Sequence, residues 1–187
     1  MKLKNWYAGL GALVLVAAVP VINSAPVRAS LEQAGSAITQ VFNRPVVELN
    51  LSAALKTISM DGQGKEVVSY ENLGNKASVK PGDVLLYSVE GTNAGDKVAQ
   101  NLTLNQPIPD KMVYVLGSAK ANGAVTTYSI DKGQTFVANP TIKETSADGT
   151  VKEVPAPAEM YTHIRFEFGS ELAPEAGVKA NYEVRVR

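Results

Sequence analysis

The stretch Val79-Lys80-Pro81-Gly82-Asp83-Val84-Leu85-Leu86-Tyr87-Ser88-Val89-Glu90-Gly91-Thr92-Asn93 decides how the rest of the chain is read. Pro81 fixes its own φ and biases Lys80 toward extended backbone, while Gly82 tolerates the positive φ of a tight turn. Behind the turn, Leu85, Tyr87 and Val89 alternate with Ser88, Glu90 and Thr92, the period of a half-buried strand. Asn93-Ala94-Gly95-Asp96 predicts a reversal into a second run at Val98, Leu102 and Leu104. A half-buried strand between two turns is the repeating unit of a β-sandwich.

Downstream the unit recurs. A strand over Val98–Gln106 leads to Pro107-Ile108-Pro109, whose prolines belong at an edge or in a connection. Met112–Leu116 reads as a short strand stopped by Gly117-Ser118. Val125–Ile130, Thr135–Val137, Ile164–Phe168 and Tyr182–Val186 follow, with turns at Asp131-Lys132-Gly133 and Asp148-Gly149 and a proline-rich connection at 155–157. Upstream, Asp61-Gly62-Gln63-Gly64 predicts a hairpin returning through Val67–Tyr70. In Val46–Leu55, Val47, Leu49 and Leu51 oppose Glu48, Asn50 and Ser52. This first strand can complete its own sandwich or reach into a neighbour's; the residue pattern admits both. Many short strands with little helical pattern predict an all-β fold.

The N-terminus has a different grammar. Lys2 and Lys4 precede an almost wholly apolar run from Trp6 to Ile22, and Val27-Arg28-Ala29 supplies compact residues before Ser30. This is the pattern of a secretory signal peptide over 1–29, cleaved after Ala29, with an uncleaved anchor as the other reading. The chain is therefore expected in the periplasm, at the cell surface or outside the cell. Ser30 and Gln33 then mark a helix start, and Leu31, Ala34, Ile38 and Val41 recur at helical spacing until Pro45. Residues 30–45 are expected to form a short amphipathic helix, packed on the domain, the membrane surface or another subunit. The sandwich itself is expected over 46–187.

The full chain has 187 residues and balances 18 basic against 18 acidic side chains. Residues 30–187 alone carry 15 basic against 18 acidic, a net of −3. Such a surface gives no electrostatic reason to bind nucleic acid, and contact with membrane is expected only through an uncleaved signal segment. The absence of cysteine excludes disulfides, thiolate metal sites and a cysteine nucleophile together. Stability must come from the core and the β-ladders, which a chain of about 160 residues can supply.

Taken with the motifs, the chain resembles a known family. The residues are Lys80-Pro81-Gly82-Asp83-Val84-x-x-Tyr87, Thr92-Asn93-x-Gly95-Asp96, Val98-x-x-Asn101, Pro107-Ile108-Pro109 and Tyr114-Val115-x-Gly117-Ser118. Ser129-Ile130-Asp131-x-Gly133-x-Thr135-Phe136 and Leu172-Ala173-Pro174 continue the series. This order resembles the domain of unknown function number eleven, a bacterial and archaeal surface module, from about Val46 onward. The resemblance implies an immunoglobulin-like antiparallel sandwich in exported proteins, often in tandem, with no established catalysis. This chain carries one copy, with no anchor expected after it.

No residue set suggests chemistry. His163, the sole histidine, is expected on the solvated side of a strand, without the partners of a triad or zinc site. Asp61, Asp96, Asp131 and Asp148 neighbour glycines, but their spacing fits turns and matches no calcium loop. The sequons at Asn50 and Asn101 are expected within strands and are discounted. No enzyme activity, cofactor or metal is expected.

The expected function is that of a secreted or cell-surface structural or interaction protein, partnered by itself or by other surface proteins. Its sharper form is an extracellular fibre subunit assembling by β-strand addition. The candidate contact residues are Val47, Leu49 and Leu51 of the first strand with Ile38, Val41 and Phe42 of the leader. The alternative is a module that binds cell-wall or matrix polysaccharide. Few aromatic residues are left over for stacking on sugar, which favours the first reading.

Overall fold

A computed structural model describes residues 16–18, 45–74 and 78–187. The helix expected over 30–45 falls outside the described residues, Pro45 excepted. Among the described residues the chain is all-β, with a short 3-10 turn at Ala158–Met160. The strands in chain order are β1 (Val16–Ala18), β2 (Val47–Met60), β3 (Glu66–Asn72), β4 (Val84–Asn93), β5 (Thr103–Pro107) and β6 (Met112–Tyr114). They continue with β7 (Lys120–Ala121), β8 (Ala124–Ser129), β9 (Thr141–Thr145), β10 (Val151–Pro155), β11 (His163–Phe168) and β12 (Gly177–Val186).

All pairings between the strands are antiparallel. The larger sheet runs β3-β2-β4-β12-β6, with β7 also on β12; the smaller runs β1-β5-β11-β8; β9 and β10 form a separate hairpin. The alternation at Leu85, Tyr87 and Val89 meets that of β12 in register. Leu85 lies opposite Val184, Tyr87 opposite Tyr182 and Val89 opposite Ala180. These six side chains are buried and join Leu104 of β5 and Ile164, Phe166 and Phe168 of β11 in one apolar cluster. Both sheets thus face a single core, a sandwich-like arrangement. Each aliphatic or Phe side chain of that size contributes roughly 1.5–3 kcal/mol on full burial. Tyr87 and Tyr182 stack, with centroids 5.4 Å apart and planes at 10°. Burial pushes the hydroxyls of both upward from the ordinary tyrosine range.

The motif residues are mostly structural. Gly82 has φ +95, as the turn demands, and the Lys80 N–H donates to Asp83 Oδ2 at 2.7 Å. Asn93 is fully buried; its Nδ2 donates to the carbonyls of Lys97 (2.7 Å) and Leu172 (2.9 Å), and its Oδ1 accepts from the Gly95 N–H (3.1 Å). Ser118 fills the gap between β6 and β7: its Oγ donates to the Val115 carbonyl and accepts from the Glu183 N–H of β12. A hydroxyl there stands in for the backbone that the turn at Gly117 takes away. Gly91, mid-sheet, sits at a close approach of its neighbours. A Cβ there would lie 3.1 Å from Leu49 Cδ2 and 3.2 Å from Val178 Cγ2.

Three details differ from the sequence reading. The run expected over Val98–Gln106 breaks at Asn101, whose φ is +53, leaving an Ala99–Leu172 bridge before β5. The sequon Asn101 therefore lies in an exposed bend, while Asn50 does lie in a strand, β2. Thr135–Val137 makes only the bridge from Val137 to Tyr128, because the Asp131 carboxylate captures the amides of Gln134 and Thr135.

Candidate assembly surface

β2 and β3 form a hairpin closed by Asp61, whose Oδ1 accepts from the N–H groups of Gln63 and Lys65. The inner half of β2 is committed to its own domain. Val47, Leu49 and Leu51 pair with Asn93, Gly91 and Val89 of β4 and pack on the core. Within the single chain this strand completes its own sandwich. Ile38, Val41 and Phe42 lie outside the described residues.

Beyond Leu55 the hairpin continues with little beneath it among the described residues. Residues 57–60 of β2 and all seven of β3 are exposed. Since Leu49, Leu51, Ala53 and Leu55 face the core, the alternate residues Lys56, Ile58 and Met60 face outward. Their cross-strand partners are Tyr70, Val68 and Glu66. Ile58, Met60, Val68 and Tyr70 are 60%, 66%, 46% and 47% exposed, a contiguous apolar patch on the outer face. One end of this patch is fastened by Glu183 of β12. Its carboxylate accepts from Lys56 Nζ at 2.9 Å and from the Tyr70 hydroxyl at 3.1 Å. That hydrogen bond is the main reason the Lys56 ammonium is raised above its ordinary value.

The backbone of β3 is the second element of the surface. The Asp61 N–H donates to the Lys65 carbonyl and the Leu73 N–H to the Ala53 carbonyl, each at 2.9 Å. With the pairing register fixed at Ser69 opposite Thr57, hydrogen-bonded pairs alternate, so Val67, Ser69 and Glu71 spend their backbone groups on β2. Those of Glu66, Val68, Tyr70 and Asn72 point away from the sheet, where β3 is the terminal strand among the described residues. This strand is legible in the sequence, but its edge position is not. The available signal was Val67-Val68, adjacent apolar residues that cannot both face inward.

A second edge lies in the smaller sheet. β1 pairs with β5, with Val16 opposite Asn105, Ala17 opposite Leu104 and Ala18 opposite Thr103. Its three residues belong to the run read as a signal peptide.

Elsewhere the cluster around Asp131 is satisfied locally, whereas Gln106 Oε1, Thr127 Oγ1, Asn181 Oδ1 and the Tyr182 hydroxyl are buried with no hydrogen-bond partner among the described residues. Hydroxyl and N–H donors of Thr135, with the Ser129 hydroxyl, hold the Asp131 carboxyl well below the usual carboxylate range. His163, expected to be solvated, is half-buried; its ring lies edge-on to Phe136 and 3.5 Å from where a Cβ at Gly133 would stand. Burial lowers its pKa, opposed by Asp131. Among the described residues no three His, Asp or Glu side chains converge on a metal position. An open groove of about 660 Å³ is bordered by Lys120, Asn122, Glu171, Lys179 and Asn181. Its one aromatic, Phe168, is buried.

Comparison with protein-family models, with curated proteins and with solved structures finds no match.

Proposed function

We propose that this protein is a non-enzymatic, exported structural or interaction protein that associates through β-strand addition, as an extracellular fibre subunit would. One observation carries the reading: β3 is exposed and, among the described residues, is the terminal strand of its sheet, seven residues long beside an apolar patch. Monomeric proteins blunt such edges with lysine, proline, a bulge or a covering loop. The β9–β10 hairpin follows that rule, with Lys143, Lys152 and Pro155. β3 itself contains neither lysine nor proline; its only charges are Glu66 and Glu71, near its two ends.

The upstream strand adds support. If residues 1–29 are removed on export, β5 loses β1 and a second edge opens for addition. The role first given to Val47, Leu49 and Leu51 passes in this account to the β3 and β5 edges, because those residues already serve the domain's own ladder. The immunoglobulin-like family reading belongs to the same proposal and rests on the motif residues, with the two facing antiparallel sheets in accord. For the polysaccharide alternative, the groove beside Lys120 and Lys179 lacks an accessible aromatic floor, so it ranks second.

Electron microscopy of protein recovered from the producing cells tests the proposal. Filaments or chains of subunits are the expected result. Dispersed single particles at every concentration, together with retention on insoluble polysaccharide, would replace it with the alternative.

A further inference from the structure

We infer that the β3 edge receives the β3 strand of a second copy, antiparallel, with Ser69 facing Ser69 across a two-fold axis. The inference rests on the strand-addition reading and names its partner.

Backbone parity allows the pairing. The outward groups belong to the even-numbered residues Glu66, Val68, Tyr70 and Asn72. An antiparallel partner must therefore set even residues opposite even residues. A register centred on Ser69 does so, pairing Glu66 with Asn72 and Val68 with Tyr70 of the other copy. It pairs all seven strand residues; a shift by two in either direction leaves β3 residues unmatched.

Side chains favour the same register. On the outer face each Val68 meets the Tyr70 of the other copy, a β-branched–aromatic pair of the kind that stabilises antiparallel ladders. Ile58 and Met60 flank the seam on the neighbouring strand, so the patch becomes continuous across the axis. Charge is compatible as well. The strand's two carboxylates, Glu66 and Glu71, face Asn72 and Val67 of the other copy, so no carboxylate directly opposes another. A symmetric contact of this type is closed, as two-fold interfaces are. Growth beyond the pair then falls to the β5 edge.

The chain has no cysteine, which makes the test clean. Ser69 would sit in a non-hydrogen-bonded pair with Cα atoms about 4.5 Å apart, inside the roughly 4.4–6.8 Å span of disulfides. Ser69→Cys in the full exported chain, under mild oxidation, is expected to form a covalent dimer several-fold faster than Thr150→Cys at the tip of the β9–β10 hairpin. Adding Val68→Lys to Ser69→Cys should remove that advantage, and Val67→Cys mixed with Glu71→Cys should cross-link where neither does alone. Equal rates for Ser69→Cys and Thr150→Cys would overturn the inference. So would a covalent adduct between Ser69→Cys and a different protein. Circular dichroism confirms that each variant is folded. If Ser69→Cys fails to cross-link while sedimentation still shows assembly, the β3 pairing falls and strand addition at another edge stands. If the protein also sediments as a monomer, both fall.

Discussion

Replacing Asn93 with alanine tests the account of the core at its most constrained polar residue. The side chain is fully buried and makes three hydrogen bonds, to the carbonyls of Lys97 and Leu172 and from the Gly95 N–H. Each such bond contributes about 1 kcal/mol net. The loss is softened because the Leu172 carbonyl keeps the Ala99 N–H at 2.9 Å and the exposed Lys97 carbonyl can turn to water. The expected cost of Asn93→Ala is about 2–3 kcal/mol, or a Tm lowered by roughly 4–12 °C for a domain of this size. Asn93→Asp should cost more at neutral pH, because an ionised carboxylate would face two carbonyl oxygens. Its folded pKa would be raised, so part of the loss returns as pH falls and the carboxyl regains a donor. Urea unfolding of the three proteins at pH 7 and pH 4 measures this. A change below about 0.5 kcal/mol for Asn93→Ala, or a Tm that does not move, would refute the reasoning.

Two further outcomes follow from the stacked tyrosines. The Tyr182 hydroxyl finds no hydrogen-bond partner among the described residues, so Tyr182→Phe is expected to leave stability unchanged or raise it by about 1 kcal/mol, read from urea midpoints. A loss of more than that would mean the hydroxyl has a partner. Burial also holds the folded-state pKa values of Tyr87, Tyr128 and Tyr182 above the ordinary tyrosine value. Above about pH 10 the unfolded chain releases these protons and the folded chain keeps them, so stability falls as pH rises. Tyrosinate absorbance followed with circular dichroism should show these rings ionising together with unfolding; ionisation of every tyrosine well before unfolding would contradict their burial.

Much of the fold was legible because alternation is local. Leu85, Tyr87 and Val89 announced their inward face, and the turns at Gly82 and Asn93 stood where the chain reverses. What failed were stretches where a side chain outbids the ladder. Asp131 takes the amides that would have made Thr135–Val137 a strand, and Asn101 bends the run before β5. The assembly surface was less legible for a different reason. Whether β3 ends a sheet depends on which strands lie beyond it, a property of topology that no window of sequence contains. Val47, Leu49 and Leu51 looked like donor residues because a first strand is free to go either way; only the register with β4 places them at home.

Amide hydrogen exchange in β3 tests the central claim most directly. In the separated subunit, the N–H groups of Val67, Ser69 and Glu71 are bonded to β2, while those of Glu66, Val68, Tyr70 and Asn72 point off the edge and have no backbone partner among the described residues. The dilute protein should therefore show alternating protection along the strand, and the assembled protein should show protection at all seven positions. If the even-numbered amides exchange equally fast in the dilute and the concentrated protein, β3 receives no strand and the account of assembly is wrong.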